Sequence, residues 1–153
     1  MNVAQSTESV PRHVAGWRTV IDRIYQWVAL LGLVLALLQV AFAALGFWGA
    51  EEKPGDQAWG MAAFEPHAIN GMVLYVIAAV LFILGLLSRA NWKVWVVPLV
   101  LFILLYGVQG MLVGLGFGVS KWFGFLHALN GAVIIAGFAW VYLNRVRRPL
   151  RAG

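Results

Sequence analysis

Four long runs of apolar residues, separated by short polar stretches, make up most of this chain. They predict helices over about residues 20–46, 65–87, 92–117 and 121–144. Each run has roughly the 20 residues that a helix needs to cross the hydrocarbon core of a bilayer. The pattern therefore predicts an all-α integral membrane protein whose single domain, residues 20–145, is a bundle of four transmembrane helices.

The polar stretches predict what lies outside the helices. Residues 1–19 are expected to form an N-terminal cytoplasmic tail, in which His13 is solvated, and residues 146–153 a basic cytoplasmic tail. The first connection is acidic and then turns aromatic over residues 59–64, a composition typical of a segment at the membrane interface. We expect this segment to form a lid over the adjoining end of the bundle.

The composition agrees with a membrane protein and narrows the chemistry. The chain is 62% hydrophobic and 11% charged, whereas a soluble domain is about half apolar and a quarter charged. The sequence contains no cysteine, which excludes disulfides, thiolate metal sites and the Cys-x-x-Cys-His attachment of a c-type heme. A hydrolase is disfavoured because no Ser-His-Asp set is recognisable, and transport is disfavoured because no charged residue is expected mid-membrane.

Basic residues are distributed unequally between the two ends of the predicted helices. Nine of the eleven lysines and arginines lie on the side of the two termini, and Lys53 and Lys121 lie on the other. Because basic loops stay in the cytoplasm, the pattern predicts a multi-pass protein of the bacterial inner membrane with both termini cytoplasmic. The second and fourth helices then begin near the outer face.

Two short patterns occur twice in the chain. The sequence Gln-Val-Ala-Phe-Ala-Ala-Leu-Gly-Phe begins at Gln39, and a related segment with the same Gln, Leu, Gly and Phe begins at Gln109. The sequence His-Ala-Ile-Asn-Gly begins at His67, and His-Ala-Leu-Asn-Gly begins at His127. Repeats of this kind in membrane proteins are often related by an axis along the membrane normal. We therefore predict two tandem helical hairpins with pseudo-twofold symmetry.

The His-x-x-Asn-Gly pattern places three residues on one helix face, because positions i, i+3 and i+4 are neighbours. In the first copy these are His67, Asn70 and Gly71. Ionisable side chains at membrane depth are costly and usually face the bundle interior, so each histidine is a candidate functional residue. The glycine either leaves room for a flat ligand or lets helices pack closely. The second copy consists of His127, Asn130 and Gly131.

Two histidines that face each other between apolar walls are suited to one b-type heme with bis-histidine ligation. His67 and His127 are the predicted ligands of the heme iron, with Lys53, Lys121 and the helix-start N–H groups near the propionates. A zinc or copper site, with Glu65 as a third ligand, is less well supported because it has too few ligands. The predicted cofactor-binding residues are His67, His127, Asn70, Asn130, Gly71, Gly131, Gln39 and Gln109.

The two patterns resemble an uncharacterised family of small bacterial four-helix membrane proteins, a domain of unknown function. In that family the first helix ends in Gln-Val-x-x-Ala-x-Leu-Gly, as at residues 39–46, and the fourth helix carries His-x-x-Asn-Gly, as at residues 127–131. More distantly, the arrangement is similar to one half of heme A synthase and to b561-type cytochromes. The second resemblance implies that His67 and His127 are heme ligands. Typical b561 proteins have four such histidines, whereas this chain has two suitable ones.

The favoured interpretation is a membrane b-type cytochrome that carries one heme near the outer face and transfers electrons, rather than a stand-alone enzyme. One alternative is a structural or accessory subunit without heme, in which the two histidines form hydrogen bonds within the bundle. Another is a bundle that binds quinone or another small molecule. The expected partners are the lipid bilayer and a quinone or redox protein, with no nucleic acid; a homo-oligomer is compatible with the sequence.

Overall fold

The computed structural model describes residues 16–88 and 91–147. This part of the chain is helical, which confirms the predicted all-α class. Four spans in it are long and apolar enough to cross a membrane, the third being the continuous stretch Lys93–Gly118. The elements are α1 (Gly16–Glu51), α2 (Gln57–Ala63), α3 (Glu65–Leu87), α4 (Lys93–Ile103), a π-helical segment (Leu104–Gln109), α5 (Gly110–Gly118) and α6 (Lys121–Arg147).

The helices extend beyond the predicted boundaries. The helix α1 begins four residues earlier than expected and continues into the acidic stretch as far as Glu51, while α6 continues to Arg147. These extensions include charged residues, which the hydrophobicity pattern assigned to the tails and to the first connection. Residues 1–15, with His13, and residues 148–153 of the predicted basic tail lie outside the described residues.

The four spans pack around a square. The helix α3 packs on α1 and α4, and α6 packs on α1, α4 and α5. Helices on a diagonal of the square lie further apart. Among the described residues, no Cα atom of α3 is within 8 Å of one in α6, and no Cα atom of α1 is within 8 Å of one in the third span. Any contact between α3 and α6 is therefore made by side chains that reach across the bundle axis.

The apolar core is concentrated towards the chain termini. It begins one turn beyond Asn70 and Asn130, at Leu74 and Ile134, and continues away from the histidines. Close packing there relies on Gly85, where a Cβ atom would lie 2.6 Å from the backbone oxygen of Val94. The buried apolar residues of this core are Tyr25, Ala29, Ala36, Leu74, Ile77, Ala78, Leu81, Val94, Leu101, Ile134, Phe138 and Val141.

The third span diverges from the first two spans at the other end of the bundle, which we call the histidine end. Among the described residues, no Cα atom of α5 lies within 8 Å of one in α1, α2 or α3, whereas α6 is that close. In α5 only Leu112 is fully buried. Of the other spans, α5 therefore packs on α6 alone.

The predicted lid is the short helix α2, which lies against α1 and the start of α3. Asp56 caps it by accepting a hydrogen bond from the backbone N–H of Trp59 at 3.0 Å. The indole N–H of Trp59 donates to the carbonyl of Gly49 at 2.8 Å. The residue after α2 is Phe64, and its ring packs against Gly46. A Cβ atom on Gly46 would lie only 2.5 Å from a carbon atom of that ring. The lid therefore lies on the α1–α3 side of the bundle.

A buried polar cluster closes the opposite end of the bundle. The carboxylate of Asp22 on α1 forms an ion pair with the guanidinium of Arg145 on α6, and both side chains are almost fully buried. Gln26 donates to Asp22 at 3.3 Å. The hydroxyl of Tyr25 donates to the carbonyl of Val94 at 2.9 Å. These contacts connect α1 with α4 and α6.

Candidate functional site

The two histidines of the repeated pattern meet across the diagonal of the bundle. Their ring centroids are 6.1 Å apart and their planes are inclined at 51°. Each imidazole is half-buried at the histidine end, His67 on α3 and His127 on α6. The fold thus brings together two side chains that are sixty positions apart in the chain, although their helices do not contact each other.

His67 is held by the backbone and side chain of Gln39. Its Nδ1 atom lies 3.2 Å from the carbonyl oxygen of Gln39. Because a carbonyl only accepts, Nδ1 carries the proton in this arrangement and Nε2 keeps its lone pair. In return the side-chain amide of Gln39 donates to the carbonyl of His67 at 2.9 Å. The ring of Phe64 stands edge-on to the imidazole, with centroids 6.3 Å apart.

The asparagines bind the glutamines in both halves of the chain. Asn70 donates to the side-chain oxygen of Gln39 at 2.5 Å and to the carbonyl of Leu35 at 3.0 Å. Asn130 donates to the side-chain oxygen of Gln109 at 2.8 Å. Polar groups in an apolar bundle need such partners. The amides therefore link α1 to α3 and the third span to α6, just below the imidazoles.

The glycines of the repeated pattern accommodate the glutamines. A Cβ atom on Gly71 would lie 3.3 Å from the amide nitrogen of Gln39, and one on Gly131 would lie 3.7 Å from that of Gln109. The space beside each glycine, which the sequence assigned to a flat ligand or to helix packing, is filled by an amide in this structure.

The π-helical segment was not predicted. It ends at Gln109, so the site contains one extra residue in the third span. As a result, the side-chain nitrogen of Asn130 lies 3.4 Å from the carbonyl oxygen of Leu104. Leu104 is five residues before Gln109. In α1 the corresponding carbonyl, that of Leu35, is four residues before Gln39.

The spacing between the two halves of the chain changes by one residue at this insertion. Before the π-helical segment, buried residues of α1 and α4 recur 69 positions apart, as in Tyr25 and Val94. The glutamines, after it, are 70 positions apart. A one-residue change in spacing inside a continuous helix indicates a π-bulge, a feature that is frequent at functional sites.

The two histidines differ in their hydrogen bonding. The imidazole of His127 interacts with the backbone of Gln109, as that of His67 does with the backbone of Gln39. Gln109 binds Asn130, and no bond from its amide to the carbonyl of His127 is present among the described residues. Gln109 therefore makes one hydrogen bond fewer to its histidine than Gln39 makes to His67.

The donor set restricts the kind of metal centre. Within residues 16–88 and 91–147, no three His, Cys, Asp or Glu residues are grouped closely enough to hold a metal ion. Glu65, the third ligand considered for zinc or copper, is exposed. Two facing imidazoles are too few for a structural zinc site, which needs four ligands, but they are sufficient for the two axial positions of a heme.

No protein-family model, curated protein or solved structure matches this chain.

Proposed function

We propose that this protein is a membrane b-type cytochrome that holds one heme between His67 and His127. The distance between the two imidazoles supports this proposal. A metal–imidazole bond is about 2 Å long and the ring centre lies about 1 Å beyond the nitrogen, so two rings on one ion have centroids roughly 6 Å apart. The observed separation is 6.1 Å.

The tautomer of His67 is the one that an axial ligand needs. A metal-binding histidine generally donates its other ring N–H to a carbonyl or carboxylate, which orients the ring and makes the ligating nitrogen more basic. Nδ1 of His67 faces the carbonyl of Gln39 at 3.2 Å. Gln39 and Asn70 then act as positioning residues that keep this carbonyl and the imidazole in place.

The histidine end is packed less closely than the rest of the bundle. The apolar core lies beyond Asn70 and Asn130, and α5 has no Cα atom within 8 Å of α1, α2 or α3. His67 and His127 would hold a porphyrin at this end, between α3 and α6. The exposed ammonium groups of Lys53 and Lys121 are the candidates for binding its propionates.

The chain is two tandem hairpins related by a pseudo-twofold axis along the membrane normal. Support comes from the amide bonds, since Asn70 binds Gln39 as Asn130 binds Gln109. It also comes from α3 and α6, whose buried residues recur 60 positions apart. The recurring buried pairs are Leu74 with Ile134, Ala78 with Phe138, and Leu81 with Val141.

A bis-histidine heme supplies a one-electron couple in which the iron alternates between Fe(III) and Fe(II). The residues of the chain would hold the heme through both imidazoles, and Phe64 stands edge-on to that of His67. The protein would accept one electron from a reduced donor and pass it to an oxidised acceptor, either a quinone or a redox protein. One site near one face cannot by itself span the ~30 Å core, so both exchanges occur at the histidine end.

The absorption spectrum of the purified protein tests the proposal. Protein from heme-sufficient cells is expected to be red, with a sharp α-band after dithionite reduction. The low-spin band should be absent from His67→Ala and from His127→Ala, because each substitution removes an axial ligand. His13→Ala, a change in the N-terminal tail, is the control and should keep the wild-type spectrum.

A structural or accessory subunit without heme is the second candidate function. It is favoured by the closed set of hydrogen bonds among Gln39, His67 and Asn70, which satisfies these groups without a ligand. Wild-type protein that folds but remains colourless would support this function and reject the cytochrome.

The histidine end faces outward and both termini are cytoplasmic. The proposal rests on the unequal distribution of basic residues. A periplasm-dependent reporter is expected to be active when it is fused within the first connection at Gly55, and inactive when it is fused at Gly153. Activity at Gly153 would reverse the orientation and place the heme near the cytoplasm.

A further inference from the structure

We infer that the outer face of α1, close to the chain termini, is a site for the headgroup of an anionic phospholipid, and that the guanidinium of Arg23 binds its phosphate. The site lies at the opposite end of the bundle from the histidines, and it does not depend on the proposed heme. Four observations carry it: an open groove, an unpaired arginine, a tryptophan one turn deeper in the membrane, and the charge of this end of the chain.

The groove runs along α1 and has a volume of about 480 Å³. Its lining consists of Gly16, Thr19, Val20, Arg23, Ile24 and Trp27, all of them on this one helix. The apolar members of the lining are exposed, whereas the buried residues of the same helix, such as Asp22 and Tyr25, face the bundle. The groove therefore opens towards the surroundings of the protein, which in a membrane are lipids.

Arg23 is the cation of this groove, and nothing in the protein neutralises it. Its side chain is exposed, and among the described residues its guanidinium makes no ion pair and no hydrogen bond. A guanidinium presents its N–H groups in a fixed fork that matches two oxygens of a phosphate. Thr19, one turn away on the same face, adds a hydroxyl group. Arg23 thus has its full hydrogen-bonding capacity available for an anion.

The position of Arg23 along α1 matches the level of lipid phosphates. The apolar run of the first span begins at Trp27, and tryptophan is typical of the boundary between the hydrocarbon core and the headgroups. Arg23 is one turn outside this boundary, about 6 Å away at 1.5 Å per residue. The headgroup layer is roughly 5–8 Å thick on each side of a bilayer, so the guanidinium lies within it.

The face of α1 that continues from the groove fits the acyl chains of the same lipid. Trp27, Leu31, Val34 and Leu38 are all exposed. Positions three and four apart are neighbours on a helix, so these side chains form an apolar strip that leads from Arg23 into the hydrocarbon core. A free anion would use the arginine alone, whereas a phospholipid uses the arginine and the strip.

The charge of this end of the chain favours an anionic lipid. Nine of the eleven basic residues belong by sequence to the side of the two termini, but only two of the six acidic ones, Glu8 and Asp22, do. Asp22 is already paired with Arg145. Basic segments next to a membrane attract anionic lipids. A zwitterionic headgroup would bring its own cation to this surface, whereas phosphatidylglycerol presents a phosphate without one.

Lipid-dependent thermal unfolding of the full-length protein in a mild, uncharged detergent tests the inference. Phosphatidylglycerol is expected to raise the melting temperature, because a ligand that binds only the folded state stabilises it. Phosphatidylcholine with the same acyl chains, and inorganic phosphate at the same concentration, should raise it much less. Equal stabilisation by inorganic phosphate would show a site for free anions and overturn the assignment to a lipid, as would equal stabilisation by phosphatidylcholine.

Two variants, each lacking one exposed cation, separate a site from general attraction. Arg23→Gln should bind phosphatidylglycerol at least about tenfold more weakly, because it loses charge-assisted hydrogen bonds to the phosphate. Lys93, exposed on the third span and outside the groove, supplies the control. Lys93→Gln should weaken binding by less than about fivefold, the effect of one surface charge.

Both variants should unfold as the wild type does when no lipid is added, since neither side chain is buried. Native mass spectrometry then counts the phosphatidylglycerol molecules that each protein retains, and Arg23→Gln should retain fewer than Lys93→Gln. Equal weakening by the two substitutions would overturn the site and leave only non-specific attraction. None of these outcomes bears on the proposed cytochrome, which the absorption spectrum tests separately.

Discussion

Removing either member of the ion pair between Asp22 and Arg145 is expected to lower the free energy of unfolding by about 3–5 kcal/mol, because the partner is left as an uncompensated buried charge. Each of the two residues has a relative exposure of 4%. Asp22 also accepts from Gln26, and Arg145 lies over the ring of Tyr25 at 5.6 Å. The pair thus joins the first and last spans at the end of the bundle where the chain termini lie.

Thermal and detergent-induced unfolding of Asp22→Ala and Arg145→Ala measures this effect. The exposed neighbour Arg23 supplies the matched control, and Arg23→Ala should unfold as the wild type does. Because replacing a whole buried pair by apolar residues is often neutral, the double variant Asp22→Leu with Arg145→Met should be more stable than either alanine variant. Alanine variants as stable as Arg23→Ala would contradict a stabilising role for the pair.

Phe138→Ala is expected to lower the free energy of unfolding by about 3–5 kcal/mol, the usual range for a buried phenylalanine. Phe138 is fully buried, and its ring crosses to α1 at Gly32, where a Cβ atom would lie 2.6 Å from Cε1. The missing side chain of Gly32 makes room for the ring. Losing the ring would therefore leave a cavity between α6 and α1.

The same unfolding measurements test this contact when they are combined with a change at Gly32. Phe125, on α6 but exposed, is the control, and Phe125→Ala should unfold close to the wild type. Gly32→Leu alone should be destabilising because it meets Phe138 and Ile77. In the Phe138→Ala background it should restore part of the stability. Equal effects of the two phenylalanine substitutions would show that the core is not packed as described.

The sequence by itself determined the features that depend on local properties. Helix formation and length follow from backbone hydrogen bonding and from long apolar runs, so all four spans were predicted, with errors at their ends and at the π-helical segment inside the third. The i, i+3, i+4 rule is also local. It placed His67, Asn70 and Gly71 on one face, and the repeat predicted that the same face would recur around His127.

The tertiary structure alone decided how these faces are paired. Which groups meet depends on the rotation of each helix about its own axis and on its position in the bundle, and hydrophobicity specifies neither. The ion pair of Asp22 with Arg145 and the filling of the space beside Gly71 by Gln39 are results of this kind. The difference between the two asparagines has the same origin. Asn130 meets a carbonyl five residues before its glutamine and Asn70 meets one four residues before, because the π-helical segment adds one residue, although the two five-residue patterns are almost identical.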